Sequence, residues 1–509
     1  MQQTMGVSTI MLGLAGVLAN RHPDDIHLLV DRMAGLLSHR GNGTILSSVF
    51  DNGQSAVISC HSIANDNYVA DTGIQGLLIV DGLAPQSKGI NSLDEIMNPA
   101  LTLPPEEVTV MAQSLGLSEC FALSVTDEGL SAIRLPFSMI PLYFCMRDGL
   151  LTFASERKCL WTLESPKVQA LQPGEMLFVS RDSRLQRTAR ALRAQPTVDE
   201  SLSKQSLIKE LALRLMARFE SIRGREIGVL FSGGVDSSLA ALLANDICNR
   251  VTLYTSRSED SHDRRVAYKS AKAIGLNLVE VEIDPDVVWE VLPSVIWATE
   301  SSKLMDVEIA LPFFLAARRA SDDGLTLMVS GQGPDELFAG YSRHLRIYQE
   351  EGPIPLALNL WDEMSMTHEV NIERDERAIA FHGVQAFFPY LESRFVRLAL
   401  AVPVEWKICP GETPSRKIVF RELARHLGLP ETIATIPKRA TQYSSGSSRA
   451  LQEAVSRQVK KASDLGKKKL VALTQAVLNL LSHDMGFPVE KPSENIEFRT
   501  EPTLPSLRE

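Results

Sequence analysis

Gly228-Val-Leu-Phe-Ser-Gly-Gly-Val-Asp-Ser-Ser-Leu239 decides how this chain is read. The apolar run Ile227–Phe231 has the length and composition of a buried strand. It stops at Ser232-Gly233-Gly234, and a stretch rich in Ala and Leu follows with helical character. Two adjacent glycines let the backbone turn sharply and bring its N–H groups close to a ligand. Those N–H groups and the helix N-terminus behind them form an anion site. Ser232, Ser237 and Ser238 add hydroxyl donors. Asp236 would repel a phosphate directly, but it suits Mg²⁺, which is commonly held by one or two carboxylates together with phosphates and water. The loop lacks the Gly-Lys-Ser/Thr ending of a Walker A loop, and it is not a dinucleotide fingerprint. A lone Ser-Gly-Gly would be an ordinary corner. The full pattern, closing an apolar strand and opening a helix, points to nucleotide phosphates.

Outward from this loop, helix and strand patterns alternate. A helix is expected at about 204–222, then the strand Ile227–Phe231, a helix at about 237–247 and the strand Arg250–Thr255. A helix at about 262–275, the strand Leu278–Ile283, two helices over about 286–320 and the strand Leu325–Val329 follow. Such alternation predicts a parallel sheet covered on both faces. From about 341 the chain reads as mostly helical. The segment Leu327-Met-Val-Ser-Gly-Gln-Gly-Pro-Asp-Glu-Leu-Phe-Ala-Gly-Tyr341 repeats the design of a strand ending in an acidic glycine turn. If the two strands are neighbours, Asp335 meets Asp236 at the carboxyl edge of the sheet, where ligands collect.

Residues 8–190 read differently, as short β-type runs such as Ala56–Ser59, Gly76–Val80, Cys120–Val125, Leu142–Cys145 and Met176–Val179, with one helix at Pro23–Leu37. Strands followed by a change of pattern argue for a separate domain. The polar stretch at 180–203, interrupted by Pro196, has the character of a linker. Two domains are therefore expected, at 1–190 and 204–509.

Composition narrows the classes. The chain has 509 residues, 44% of them hydrophobic and 22% charged, the balance of a globular protein. The formal net charge of −10 argues against general nucleic-acid binding, which needs a basic footprint. The six cysteines form no CxxC pair, and thiols in a reducing cytosol are the expected reading. No basic region precedes the short apolar stretch at the N-terminus, and no apolar run approaches the ~18–20 residues of a membrane span. A cytoplasmic protein with no nucleic-acid or membrane partner is expected.

The SGGxDSS loop resembles that of the N-type ATP pyrophosphatases, which split ATP between the α and β phosphates. Within that group the chain resembles the asparagine synthetase family. Ser330–Tyr341 is very near SGQGADELFGGY, the form found in one branch. Gly383–Glu392 resembles GVEARxPFLD, and Pro437–Gly446 resembles PKKAAQYSSG. Phe153–Lys158 resembles FASExKAL, Ile140–Tyr143 resembles GIxPLYY, and His39–Gly41 resembles the HRGPD turn. The resemblance runs over most of residues 11–446 and is stronger in the second half.

It implies an N-terminal α+β glutaminase-like sandwich (αββα) followed by an α/β parallel-sheet ATP-pyrophosphatase domain, of the adenine nucleotide α-hydrolase-like class. It also implies ATP and Mg²⁺ as cofactors. A carboxylate, aspartate in the family, would be activated as an acyl-adenylate and then attacked by an amine. Carried over by position, Phe231, Ser256, Ser330 and Gly331 would hold AMP, beside the loop residues Ser232, Gly233, Gly234, Ser237 and Ser238. Asp236 and Asp335 would hold Mg-pyrophosphate. Lys438, with Arg439 as rival, is the candidate cation for stabilising charge on the transferring adenylyl group. A homodimer is left open.

The resemblance also fails in places. The family glutaminase begins Met-Cys-Gly, its cysteine serving as the nucleophile. Here Met11-Leu-Gly-Leu-Ala-Gly16 puts Leu12 at that position, with eleven residues before it as written. NGEIYN corresponds to Asp81–Ala84, and HRGPD has become His39–Gly43. No glutaminase activity is therefore expected, and the amine would be ammonia, an ammonia-supplying partner or another amine. Gln385 stands where the family has a glutamate thought to act in amide formation; an amide can orient but cannot take a proton. Glu392, Glu336 and Glu308 are substitute bases to consider. A β-lactam synthetase-like ligase with another substrate, or a non-catalytic nucleotide-binding regulator, are the competing readings.

Overall fold

The computed structural model describes residues 203–505, apart from 259–262, 438–444, 461, 463–464 and 494–495. Before residue 203 it describes 13–19, 23–49, 55–62, 69–71, 76–81, 121–126, 129–134, 138, 141–163, 167–180 and 185–188. The chain divides into two compact units. The first comprises Met1–Arg223, Ile354–His368 and Tyr390–Pro403, and the second Gly224–Pro353, Glu369–Pro389 and Val404–Glu509. The break expected at 190–204 therefore moves to 223. The helix Lys204–Phe219 belongs with the first unit because it packs on the helix Ser393–Ala401, where Arg214 Nη1 donates to the carbonyl of Arg394 at 2.6 Å.

The first unit holds two six-stranded antiparallel sheets. The strands are β1 (Gly13–Ala19), β2 (Asn42–Val49), β3 (Ser55–Ser62), β4 (Val69–Asp71), β5 (Gly76–Asp81), β6 (Phe121–Thr126), β7 (Gly129–Arg134), β8 (Tyr143–Arg147), β9 (Leu150–Ala154), β10 (Gln169–Ala170), β11 (Met176–Ser180) and β12 (Leu185–Thr188). One sheet runs β10-β8-β9-β1-β3-β2 and the other β12-β11-β7-β6-β5-β4. Leu14, Leu18, Ile58 and Phe153 of the first share a core with Leu130, Ala132, Leu177 and Val179 of the second. Because side chains alternate along a strand, Ala15, Val17 and Val57 face the other way. They bury Ile26, Val30, Met33 and Leu37 from the helix Pro23–Gly35 and its following turn. Each expected β-run falls on a strand; Cys120, Leu12 and residues 82–84 lie outside the described residues. Strand β1 escapes an alternation rule because all seven of its residues are buried.

The second unit is built on one parallel sheet of β13 (Glu226–Leu230), β14 (Arg250–Arg257), β15 (Asn277–Glu282), β16 (Leu327–Val329) and β17 (Gln385–Phe387), in the order β15-β14-β13-β16-β17. Helices Val235–Asn245, Asp263–Ile274, Pro285–Thr299 and Leu304–Asp322 connect the strands, close to the expected spans. The chain moves outward from β13 through β14 to β15, then returns to the other side of β13 at β16. That reversal is a topological switch point, and a crevice opens there at the carboxyl ends of the strands. Gly228 pairs with Met328 and Val229 with Val329, so β13 and β16 do neighbour one another.

Candidate active site

The loop after β13 is held by its own side chains. The Ser232 amide donates to Ser237 Oγ at 3.2 Å, and the Gly234 amide donates to Ser232 Oγ at 3.3 Å. Gly233 takes φ +77, and a Cβ there would lie 2.5 Å from the Ala267 backbone. Only glycine fits that turn without strain. The loop after β16 comes equally close. A Cβ on Gly331 would meet the Ser237 amide nitrogen at 3.0 Å, so the absence of a side chain lets the two loops abut.

Between them opens a cavity of about 790 Å³, a size suited to a small-molecule site. Of the expected site residues, Phe231, Ser232, Asp236, Ser237, Ser256, Ser330, Gly331 and Asp335 line it. Gly233, Gly234 and Ser238 shape the loop from behind. The Ser238 hydroxyl is buried in the first turn of the helix and has no hydrogen-bond partner among the described residues. Ser256 Oγ is likewise buried in the wall without a partner.

Asp236 and Asp335 converge, as expected for loops on neighbouring strands. The group between them was not foreseen. Lys417 Nζ donates to Asp236 at 2.9 and 2.8 Å and lies 2.7 Å from Asp335 Oδ1, with its side chain only 1% exposed. Lys417 takes φ 58 and ψ 33 as it caps the helix Ile418–His426. A left-handed conformation costs a non-glycine residue about 1–2 kcal/mol and is retained where surrounding structure imposes it. Here Arg421 imposes it, donating through Nε to the Arg416 carbonyl at 3.0 Å, while Arg416 Nη1 reaches the Gly340 carbonyl at 2.6 Å.

Glu336 follows Asp335 but faces away into protein. Tyr341 donates its hydroxyl to Glu336 Oε1 at 2.6 Å and Asn371 Nδ2 donates to the same oxygen at 3.1 Å. Burial, then the charge of Asp335, push the Glu336 carboxyl up to about 7. Glu308 accepts from Ser448 Oγ at 2.6 Å, and Glu392 caps a helix by accepting from the Phe395 amide at 2.8 Å. The last two are thus structurally employed.

The structure does not bring Gln385 to the cavity. It is the first residue of β17, level with Leu327 and three residues short of Ser330, at the amino end of the sheet. The resemblance marked its position but could not show at which end of the strand it falls. Lys438 and Arg439 lie outside the described residues; Ser445, six residues after Arg439, lines the cavity. Lys417 was missed because a lysine in the polar run Pro414-Ser-Arg-Lys417 reads as solvated.

Fold and cavity together define an α/β protein of the ATP-pyrophosphatase class, with nucleotide loops at the switch point of a parallel sheet. The asparagine synthase family model matches residues 216–355 and 348–493, more than half of the chain. The chain belongs to that family, whose members are ATP-dependent amide ligases. It is 31% identical over 375 residues to a putative glutamine-hydrolysing asparagine synthetase of Methanocaldococcus jannaschii, covering 64% of this chain and 69% of that one. It is 26% identical over 315 residues to a glutamine-hydrolysing asparagine synthetase of Oryza sativa, covering 58% and 50%. The chain thus spans about two thirds of the archaeal relative and half of the plant one. Among solved structures, NMN synthetase from Francisella tularensis aligns at 13% identity and a TM-score of 0.27, covering 58% of this chain and all of that one. Among the described residues no helix is long and apolar enough to cross a membrane.

Proposed function

We propose that the second unit is an asparagine synthetase-type ligase acting on aspartate, with ammonia as the amine. The observation that carries this reading is the convergence of Asp236, Asp335 and Lys417 at the junction of two glycine loops beside the cavity. The substrate carboxylate attacks the α-phosphorus of ATP, an acyl-adenylate forms and pyrophosphate leaves. An amine then attacks the activated carbonyl, and AMP leaves. The wall from Phe231 through Ser256 to Ser330 holds the adenylate, and the loop amides with Ser232 and Ser237 orient the phosphates. Lys417 supplies a fixed cation where negative charge accumulates on the departing group.

Mg²⁺ fits this donor set. Two carboxylates turn toward one point that already carries an ammonium, and Mg²⁺ takes hard oxygen ligands from one or two carboxylates with phosphate and water. No group of three or more His, Cys, Asp or Glu among the described residues could hold a metal unaided, so phosphate oxygens would complete the shell. Asp236 and Asp335 would hold the ion, which would shield the charge of the phosphates.

The first unit is read as a glutaminase-type sandwich without its nucleophile. Leu12 occupies the cysteine position, and Arg40 of the His-Arg-Gly turn is only 4% exposed, with Nε and Nη2 directed to Glu156. Pyrophosphate release and asparagine formation with ATP, Mg²⁺ and aspartate test the proposal, in the presence of ammonium, of glutamine, or of neither. Ammonium should support asparagine formation and glutamine should not. Glutamine-supported synthesis by the pure protein would overturn the ammonia assignment. Release of pyrophosphate without aspartate dependence would overturn the substrate.

A further inference from the structure

Gln332, in the loop after β16, forms part of the cavity wall. Its Nε2 donates to Asp375 Oδ2 at 2.5 Å. Asp375 belongs to the helix Glu373–Ala380 and has no solvent exposure. Its other oxygen accepts from Arg374 Nε at 2.7 Å. Arg374 is itself tethered, with Nη1 on the Val370 carbonyl at 3.1 Å and Asp306 Oδ1 at 3.8 Å. Burial pushes the Asp375 carboxyl up, while Arg374 and the hydrogen bond from Gln332 pull against it. The orientation of the amide and the charge of the carboxylate therefore support each other.

An amide has a donor end and an acceptor end, and an ionised carboxylate only accepts. Asp375 thus commits the NH₂ end of Gln332 inward. The carbonyl end, Oε1, has no hydrogen-bond partner among the described residues. The other polar groups of that wall include the carboxylates of Asp236 and Asp335. An acceptor fixed beside two acids favours a cationic N–H donor and disfavours another anion.

We propose that Gln332 is a specificity-determining residue that reads a protonated amine on the ligand, and that Asp375 is the positioning residue that sets which end of the amide is offered. This rests on the ligase reading for its ligand class: an amino-acid carboxylate, or ammonia entering as nucleophile. Asp375→Asn tests it sharply. Arg374 still requires an acceptor, so the new amide turns its oxygen to Arg374 and its NH₂ to Gln332. Gln332 must then invert and present NH₂ to the cavity. Shape is unchanged and polarity is reversed.

The experiment titrates aspartate and its desamino analogue succinate into the wild type, Asp375→Asn and Gln332→Met, with a non-hydrolysable ATP analogue and Mg²⁺. The KM for ammonium is measured in parallel. A hydrogen bond to a charged group predicts at least about a tenfold preference for aspartate over succinate in the wild type. That preference should fall toward one in Gln332→Met and be lost or reversed in Asp375→Asn. A merely structural Asp375 would weaken both ligands alike. If the preference is unchanged but the ammonium KM rises about tenfold in both variants, the amine read is the nucleophile. If neither quantity changes beyond twofold, the proposal is overturned. Should Asp375→Asn fail to fold by thermal melting, Gln332→Met, at a half-buried position, decides alone. A preference for aspartate with no aspartate-dependent pyrophosphate release would overturn the ligase reading and leave the assignment of Gln332 standing.

Discussion

Each unit buries carboxylate beside lysine, with opposite balance. In the first, one carboxylate faces three basic side chains: Glu156, with no exposure, accepts from Arg40 Nε at 2.7 Å, lies 2.9 Å from His39 Nε2, and is ion-paired to Lys158. In the second, two carboxylates share Lys417 and border a cavity. Burial pushes the His39 imidazole down, so Arg40 and Lys158 carry the charge that opposes Glu156 at neutral pH. A carboxylate with surplus cations has nothing left to recruit. A pair of acids with one lysine retains a net negative charge, and that deficit draws a further cation. The saturated group is therefore structural and the deficient one is the site, although both look alike as buried ion pairs.

The strongest way to break this contrast is to neutralise the deficient group. Asp335→Asn keeps the volume and removes one charge. Pyrophosphate release should fall by about 10²–10³-fold or more, since loss of one fixed electrostatic element in a catalytic site has that scale. Circular dichroism should remain native. A rate within threefold of wild type would show that the pair is only structural. Glu156→Gln should act in the opposite manner. Removing one partner from a buried ionic group costs about 3–5 kcal/mol because the others are left uncompensated. Chemical denaturation followed by a probe in the first unit should show that loss, with pyrophosphate release per folded molecule unchanged.

Proton linkage sharpens the contrast. Burial alone would raise the Glu156 carboxyl, but His39, Lys158 and Arg40 outweigh it and hold it well below the usual range. A depressed acid contributes stability above its unfolded value of about 4.3, and that contribution is lost as pH falls through the folded value. His39 and His61 are both depressed by burial, so below about pH 6.5 the unfolded chain binds protons that the folded state refuses. Both effects have the same sign. Hydrogen exchange of β1, β3 and β9 should show protection falling as pH drops below about 6.5 and falling further near 4. Glu156→Gln should flatten the lower limb.

How much of this was legible follows from how local each feature is. The loop Ser232–Ser238 and the segment Ser330–Asp335 are strand–turn–helix corners whose glycines and acids lie within a few residues, and they stand where they were expected. Strands β13 to β16 were legible for the same reason. Strand β17 has three residues and no periodicity to detect. Lys417 is 181 residues from Asp236, and nothing in its neighbours announces a buried ammonium. Glu373-Arg-Asp-Glu-Arg377 has the pattern of a solvated face, yet all five are buried, because Glu300 and Glu373 pair with Arg377 while Gln332 and Arg374 hold Asp375. Charges that neutralise one another across helices look, in one dimension, like charges that face water.

A third buried lysine supplies the smallest test. Lys407, with no exposure, has its ammonium pushed down to about 7 by burial. Lys158 and Lys417 each meet a carboxylate. In the unfolded chain a lysine titrates near 10.4, so between pH 7 and about 10 the unfolded state binds a proton that the folded state rejects. Wild-type stability in the second unit should therefore rise with pH across that window. Lys407→Met should remove the slope and raise stability at pH 7 by on the order of 1 kcal/mol. Lys158→Met, an identical change at an equally buried position, should instead lose about 3–5 kcal/mol, because it removes a partner from an ionic group. If both variants were destabilised alike, burial alone would set the worth of these lysines, and the balance of charge around them would carry no information about which group is a site.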